Sequence, residues 1–347
     1  MPERYALILA GGRGERFWPW SRPERPKQLL PLAPGGRSLL KATFERAQRV
    51  MDRSRILVMT SMDLREACQR ECRGAKILGE PAMRNTAPAI AAAAAWIGED
   101  DAFAVLPADH AVDDEEAFAR DLVRAFEVAE KQTELVTFGI RPSSPQTSFG
   151  YIQRGEKLGE RLYRVAKFTE KPDRTQAEQW IGAGAHLWNS GIFVWRKRVF
   201  FDALEAGRPA IARALRNFAF PRSPDGFSNA LRDVFPALES ISVDYAVLEH
   251  APNAVVIEAS FDWDDLGSWG AWARRQARDE RGNVRFGDTV LVDCDGCVVV
   301  GEDGTAAALG LREMVVVHAN GATLACRLED SESVRKVSEA LRNRENA

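Results

Sequence analysis

Over its first 140 residues the chain alternates short apolar runs with longer amphipathic ones. Tyr5–Ala10, Arg55–Thr60, Ala102–Leu106 and Leu135–Gly139 have the length and apolarity of buried strands. Between them, Ser38–Val50, Leu64–Arg73, Thr86–Trp96 and Glu115–Lys131 carry helical patterning, with Ser38 suited to an N-cap. Pro88 falls in the first turn of the Ala-rich helix, where its missing N–H does no harm. Alternating β and α units dictate parallel strands with helices on both faces, and such sheets bind ligands beyond the carboxyl ends of their strands. From Phe149 to about Ala273 the pattern is mixed, with strands at Arg161–Thr169 and Leu187–Trp195. After about Asp279, short β-rich pieces are separated by Asp-Gly and Asn-Gly turns, and Ser331–Arg342 reads as a terminal amphipathic helix. The expected organisation is an α/β domain over residues 1–278 and a small β-rich domain, akin to a few turns of a β-helix, over 279–347.

A net charge of −3 on 347 residues supplies no global basic field, so neither nucleic acid nor an anionic membrane is expected as a partner. No run of roughly 18 apolar residues marks a membrane span. The N-terminal apolar run is short and flows into Gly-Gly-Arg, unlike a secretory signal. Five cysteines, an odd number in a chain this long, point to reduced thiols and a cytoplasmic setting. Cys294 and Cys297 have the spacing of a redox or zinc pair. No second such pair accompanies them, and they read as strand residues around a turn.

Gly11, Gly12 and Gly14 follow the first strand directly. Glycines there let backbone N–H groups approach phosphate oxygens. The dinucleotide fingerprint would need a third glycine where Phe17 stands, and a P-loop would need Gly-Lys-Ser/Thr, which is absent. Arg13, Arg16, Arg22, Arg25 and Lys27 crowd the next stretch, while Pro19, Pro23 and Pro26 keep it from being a helix. A cation cluster in a proline-stiffened loop after a glycine turn suits a polyphosphate grip.

The run Leu9–Pro19 with Pro26-Lys27-Gln28 resembles the signature of the sugar nucleotidylyltransferase family, and its Trp-Pro and Pro-Lys-Gln details are similar to those of the mannose-1-phosphate guanylyltransferases. The resemblance implies a Rossmann-like nucleotidyltransferase domain with a mixed or parallel sheet, GTP and mannose 1-phosphate as substrates, and Mg²⁺ as cofactor. It implies that Ala10, Gly11, Gly12 and Gly14 wrap the triphosphate while Arg16 and Lys27 neutralise it. Glu15 stands where the wider family more often has Thr or Ser. A carboxylate cannot donate to phosphate and is expected to point away.

Two acidic motifs extend the likeness. Ala108-Asp109-His110 follows a strand; Asp109 is either a turn aspartate or a ligand in the crevice, and the resemblance favours a metal ligand. Phe261 to Trp269 holds Asp262, Asp264 and Asp265; the resemblance makes Asp265 the second metal ligand and leaves Asp262 and Asp264 to sugar hydroxyls or helix capping. Glu80, Asn85 and Thr86 belong to a segment similar to the family's guanine-side motif, although Asn85 and Thr86 also suit a helix cap. Gly150, Glu170, Lys171 and Asn189 fall in motifs resembling the sugar-phosphate site, with Asp244 either touching the sugar or supporting a wall. The length implies the short form, without the isomerase domain of longer relatives, and the β-rich end offers a surface for a homodimer. The rivals are the same chemistry on another hexose or heptose phosphate or another nucleotide, and a non-catalytic relative that binds sugar nucleotide.

Overall fold

The structure is a computed structural model that describes residues 2–12, 14–131 and 133–345. Arg13, one of the expected phosphate cations, lies outside the described residues. The chain divides into two units: Met1–Gly11, Leu40–Ala108 and Val112–Trp263 form the first, and Gly12–Leu39, Asp109–Ala111 and Asp264–Ala347 the second.

The first unit is built on nine strands: β1 (Arg4–Leu9), β2 (Ile56–Ser61), β3 (Lys76–Glu80), β4 (Ala102–Pro107), β5 (Leu135–Ile140), β6 (Gly150–Gly159), β7 (Leu162–Glu170), β8 (His186–Arg196) and β9 (Ala254–Glu258). They pair in the order β3-β2-β1-β4-β8-β5-β9-β7-β6. The β3-β2-β1-β4 block is parallel, as the β/α alternation requires. β8 then enters between β4 and β5, antiparallel to both, so the sheet is mixed. Phe193, Val194 and Trp195 of β8 are buried in succession, so the strand needs cover on both faces. The helix Thr86–Ala94 is buried from Ala87 through Ala94, as an all-apolar helix must be.

The second unit contains β10 (Val284–Val292), β11 (Val298–Leu309), β12 (Met314–Ala319) and β13 (Ala322–Arg327) in sequential order. β10, β11 and β12 are parallel neighbours, with Val284 beside Val298 and Val298 beside Val315. Parallel neighbours normally need a crossover of a dozen or more residues. Here only short turns intervene, as when a chain coils through successive rungs of a β-helix. Cys294 and Cys297 are buried with Val299, Ala306 and Ala308 inside this coil, and all five cysteines are free thiols. Among the described residues no helix is long and apolar enough to cross a membrane.

An aromatic cluster binds the pieces of the second unit. Trp20 stacks on Trp269 at 5.8 Å and 8°, meets Trp272 edge-on at 5.8 Å and packs on Phe286 at 4.7 Å. Phe17 joins through Trp269 at 5.0 Å. Trp20 is fully buried, so Trp20→Ala leaves a large cavity among rings that cannot collapse into it. A loss of about 3–5 kcal/mol is expected in chemical denaturation. A loss below about 1 kcal/mol would show that this cluster does not hold the unit together.

Candidate functional site

In the second unit the glycine turn exists to let a lysine pass. Gly14 has φ +62°, and a Cβ there would lie 2.4 Å from both the Cβ and the backbone nitrogen of Lys27. Only glycine fits this approach and this backbone. Pro26 is extended, and Lys27–Leu29 makes a single 3-10 turn that sends the lysine side chain inward. Lys27 is 7% exposed. Its Nζ donates to Asp109 Oδ2 at 2.9 Å and to the carbonyl of Asp265.

Asp109 and Asp265 are 156 residues apart in sequence, and a short backbone bridge joins their segments. Ala111 N–H donates to the Asp264 carbonyl at 2.9 Å, and Asp264 N–H donates back to Ala111 at 3.1 Å. The turn after the bridge is closed by its own aspartates: Leu266 N–H donates to Asp264 Oδ1 at 2.8 Å and Gly267 N–H to Asp265 Oδ1 at 3.1 Å. Arg16 Nη1 reaches the Gly267 carbonyl at 3.4 Å. Burial pushes the Asp265 carboxyl up, and Asp264 and Asp109 push the same way against Lys27 and Arg16. Desolvation also acts to raise Asp109, but Lys27 and His110 outweigh it and hold that carboxyl below its ordinary value. His110 Nε2 stands 3.8 Å from Asp109 Oδ1. This part of the molecule is therefore a pair of carboxylates with a buried ammonium and a guanidinium beside them.

Two further loop cations, Arg22 and Arg25, have different partners. Arg22 donates to the Asn320 carbonyl, and Arg25 pairs with Glu302. Glu15 turns its carboxylate to Arg342, which gives a physical account of a glutamate inside a loop expected to grip phosphate. Gln28 donates to the Gly12 carbonyl at 3.0 Å.

In the first unit, Ala10, Gly11, Glu80 and Ala108 stand at or just beyond the carboxyl ends of strands β1, β3 and β4 in the parallel block. Ala10 N–H donates to Met59 and Ala108 N–H to Leu9, so both alanines extend the strand ladder. A Cβ on Gly11 would come 2.9 Å from Glu80 Oε1. The Glu80 residue is 8% exposed, and burial alone lifts its carboxyl to about 7. Asn85 and Thr86 are engaged in building the helix start. Asn85, at φ +64°, caps the helix by accepting from Thr86 N–H at 2.8 Å, and Thr86 Oγ1 accepts from Val243 N–H at 2.9 Å.

A second cluster of this unit gathers on β6, β7 and β8. Lys171, at φ +50°, donates to Glu170 Oε1 at 2.8 Å, and a Cβ on Gly150 would sit 2.4 Å from Glu170 Oε2. Asn189 Nδ2 donates to Asp244 Oδ1 at 2.8 Å. Asp244 opens a π-helical turn in which Glu249 N–H returns to the Asp244 carbonyl at 3.0 Å, a rare geometry common at functional sites. Burial first and Glu170 second lift its carboxyl to about 6. Asp244, whose part the sequence left open, thus belongs to the Glu170–Lys171–Asn189 cluster. Asp262 serves the backbone. Its Oδ1 accepts the N–H groups of both Asp113 and Asp114 at 2.9 Å, fixing the entry to the helix Glu115–Lys131. Phe149 meets Trp188 and Trp263 edge-on at 5.2 and 5.4 Å, an aromatic grouping that no single motif announced.

Comparison with known proteins gives matches along the chain. Residues 5–282 match the family described as "Nucleotidyl transferase", and residues 287–341 match the "MannoseP isomerase/GMP-like beta-helix domain". The chain is 36% identical to the mannose-1-phosphate guanylyltransferase of Klebsiella pneumoniae, covering 98% of this chain and 74% of that protein. It is 36% identical to the xanthan biosynthesis protein XanB of Xanthomonas campestris, covering 99% and 74%. Its fold is similar to a Thermus thermophilus crystal structure described as a "mannose-1-phosphate geranyltransferase", with TM-score 0.87, 35% identity, and 98% and 99% of the two chains covered.

The raised Glu80 carboxyl gives a signed prediction. A folded pKa of about 7, against an ordinary value near 4.5, means that folding disfavours the ionised form. The Glu80 contribution to stability is intact below about 4.5 and is lost as pH rises through about 7. Glu80→Gln removes that loss, so the variant is expected to gain on the order of 2 kcal/mol over the parent at pH 8 and little at pH 4.5. Parallel denaturation curves of the two proteins at both pH values with a constant difference would refute the burial argument.

Proposed function

The chain belongs to the nucleotidyl transferase family and stands with its mannose-1-phosphate guanylyltransferases, and from that premise we propose that it joins GTP to α-D-mannose 1-phosphate, releasing pyrophosphate and forming GDP-mannose. The observation that carries the transfer chemistry is the Ala111–Asp264 bridge, which sets Asp109 and Asp265 beside Lys27.

An oxygen of the sugar phosphate attacks the α-phosphorus of GTP in line, and the bond to the pyrophosphate oxygen breaks as the new P–O bond forms. A phosphate monoester with its second pKa near about 6 is already mostly dianionic at neutral pH, so no general base is required. The work of the protein is positioning and charge neutralisation. Arg16 and Lys27 take the charge of the triphosphate and of the departing pyrophosphate, with Gly11, Gly12 and Gly14 leaving the backbone open to it. Asp109 and Asp265 fit a hard divalent cation, Mg²⁺ by preference: they offer carboxylate oxygens, and the upward push that Asp264 and Asp109 give Asp265 is a repulsion that a cation relieves. When bound, that ion supplies positive charge to the phosphate oxygens.

Glu80 is our choice for reading the base. A buried carboxylate with no counter-charge among the described residues accepts from the N1–H and 2-amino groups of guanine, whereas adenine offers an acceptor at N1. Asn85 and Thr86 support this by fixing the segment rather than by contacting the base. Lys171 holds the attacking phosphate, and Glu170, Asn189 and Gly150 take the sugar, with Asp244 orienting Asn189. Free thiols at all five cysteines fit a reaction carried out in the cytoplasm.

A pyrophosphate-release assay of GTP, ATP and UTP against mannose, glucose and heptose 1-phosphates tests the assignment. The greatest kcat/KM is expected for GTP with mannose 1-phosphate. A different best pair would move the substrate class, and no release from any pair would support the non-catalytic alternative. Asp109→Asn is expected to lower kcat about 100-fold or more in the presence of Mg²⁺ with an unchanged circular dichroism spectrum. Turnover like that of the parent would reject Asp109.

A further inference from the structure

Glu15 sits in the middle of the phosphate-handling turn, and its side chain is committed to the far end of the chain. Glu15–Phe17 is one 3-10 turn entered through the left-handed Gly14. The Glu15 carboxylate accepts from Arg342 through both oxygens, and Arg335 Nε lies 3.8 Å from Oε2. Ser338 Oγ donates to the Glu15 carbonyl at 3.2 Å. Residues 335, 338 and 342 are spaced three and four apart on the helix Arg335–Glu345, so they share one face. That face grips a single residue by its side chain and its backbone. The next residue is Arg16, whose guanidinium reaches the Gly267 carbonyl two residues after Asp265. Just ahead of the same helix, the buried Ser331 accepts the N–H of Gly270 at 3.3 Å, in the first turn of the helix Trp269–Arg274. The C-terminal segment thus touches both chain pieces, the one that carries Arg16 and the one that carries Asp265.

We infer that the C-terminal helix is a positioning element for the triphosphate cation Arg16, with Arg342 as its principal positioning residue acting through Glu15. The inference rests on the reading of Arg16 given under Proposed function. A partly exposed ion pair adds little to folding stability. Its leverage lies in orientation, because a displacement of about 1 Å at a group that grips a reacting phosphate can cost far more in rate than the pair is worth in stability. The arrangement also explains the residue type. A carboxylate is useless toward phosphate and well suited to two guanidiniums.

The test uses the full chain and steady-state kinetics with each substrate varied, together with the thermal melting of every variant. Arg342→Glu sets a like charge against Glu15 and is expected to raise KM for GTP about five- to tenfold, with KM for mannose 1-phosphate unchanged and melting within a few degrees of the parent. Arg342→Lys keeps most of the GTP affinity, and the charge swap Glu15→Arg with Arg342→Glu restores it. A KM for GTP unmoved by Arg342→Glu overturns the inference, as does a loss shared equally by both substrates that the swap does not restore. Glu15→Gln carries the same expectation at smaller size should Arg342→Glu fail to fold. Arg16→Ala separates the two levels. If it raises KM for GTP while Arg342→Glu does not, the positioning role fails and the reading of Arg16 stands. If Arg16→Ala leaves both kcat and KM for GTP unchanged, that reading itself falls, and the inference falls with it.

Discussion

A lysine buried between two aspartate segments is the condition on which the second unit rests. Two carboxylates held near each other in a partly buried site repel, and Asp109 pushes the Asp265 carboxyl up. The chain nevertheless ties the segments of Asp109 and Asp265 together through the Ala111–Asp264 bridge. Lys27 offsets the repulsion by donating to Asp109 and to the backbone of Asp265. Gly14 leaves room for the lysine backbone, Pro26 aims it, and the cluster of Trp20, Trp269 and Trp272 fixes the pieces that carry them. The asymmetry of the two acids, one held low and one pushed up, follows from which of them receives the ammonium on its carboxylate.

The first unit solves a different problem. Its parallel strands end in backbone groups that need partners, and Ala10 and Ala108 continue the ladder past the strands. Glu80 is then left at the end of β3 with burial and, among the described residues, no cation to balance it, which is a poor arrangement for folding and a good one for a ligand that donates hydrogen bonds. The Glu170–Lys171–Asn189–Asp244 cluster differs in being internally paired, so it holds its shape through its own contacts.

Much of this was legible in the residues. The β/α alternation set out the parallel block, the glycine and proline pattern set a group of five loop cations apart from ordinary surface charge, and the family resemblance picked Arg16 and Lys27 out of that group. The antiparallel entry of β8 was hidden, because periodicity shows that a strand is buried and not which neighbours it has. Five loop cations read as one group in sequence. Space sets two of them apart: Arg22 and Arg25 pair with Asn320 and Glu302, partners about 300 and 280 residues away. Asn85 caps its helix, one of the two uses its sequence offered, whereas Asp262 satisfies the backbone N–H groups of Asp113 and Asp114, partners too distant in the chain for local sequence to reveal. Glu15 was readable only in part: its chemistry said that it turns from phosphate, and nothing nearby said toward what.

The Ala-rich helix Thr86–Ala94 divides the neighbourhood of Glu80 into a part that can drift over evolution and a part that cannot. From Ala87 to Ala94 every side chain is enclosed, and six of the eight are single methyl groups. Any larger residue there meets a full interior. Variation in this region is therefore channelled into residues 81–84, where Met83 and Arg84 are exposed or nearly so. Relatives that change their nucleotide are expected to do so by rewriting that short loop and leaving the helix as a frozen rail.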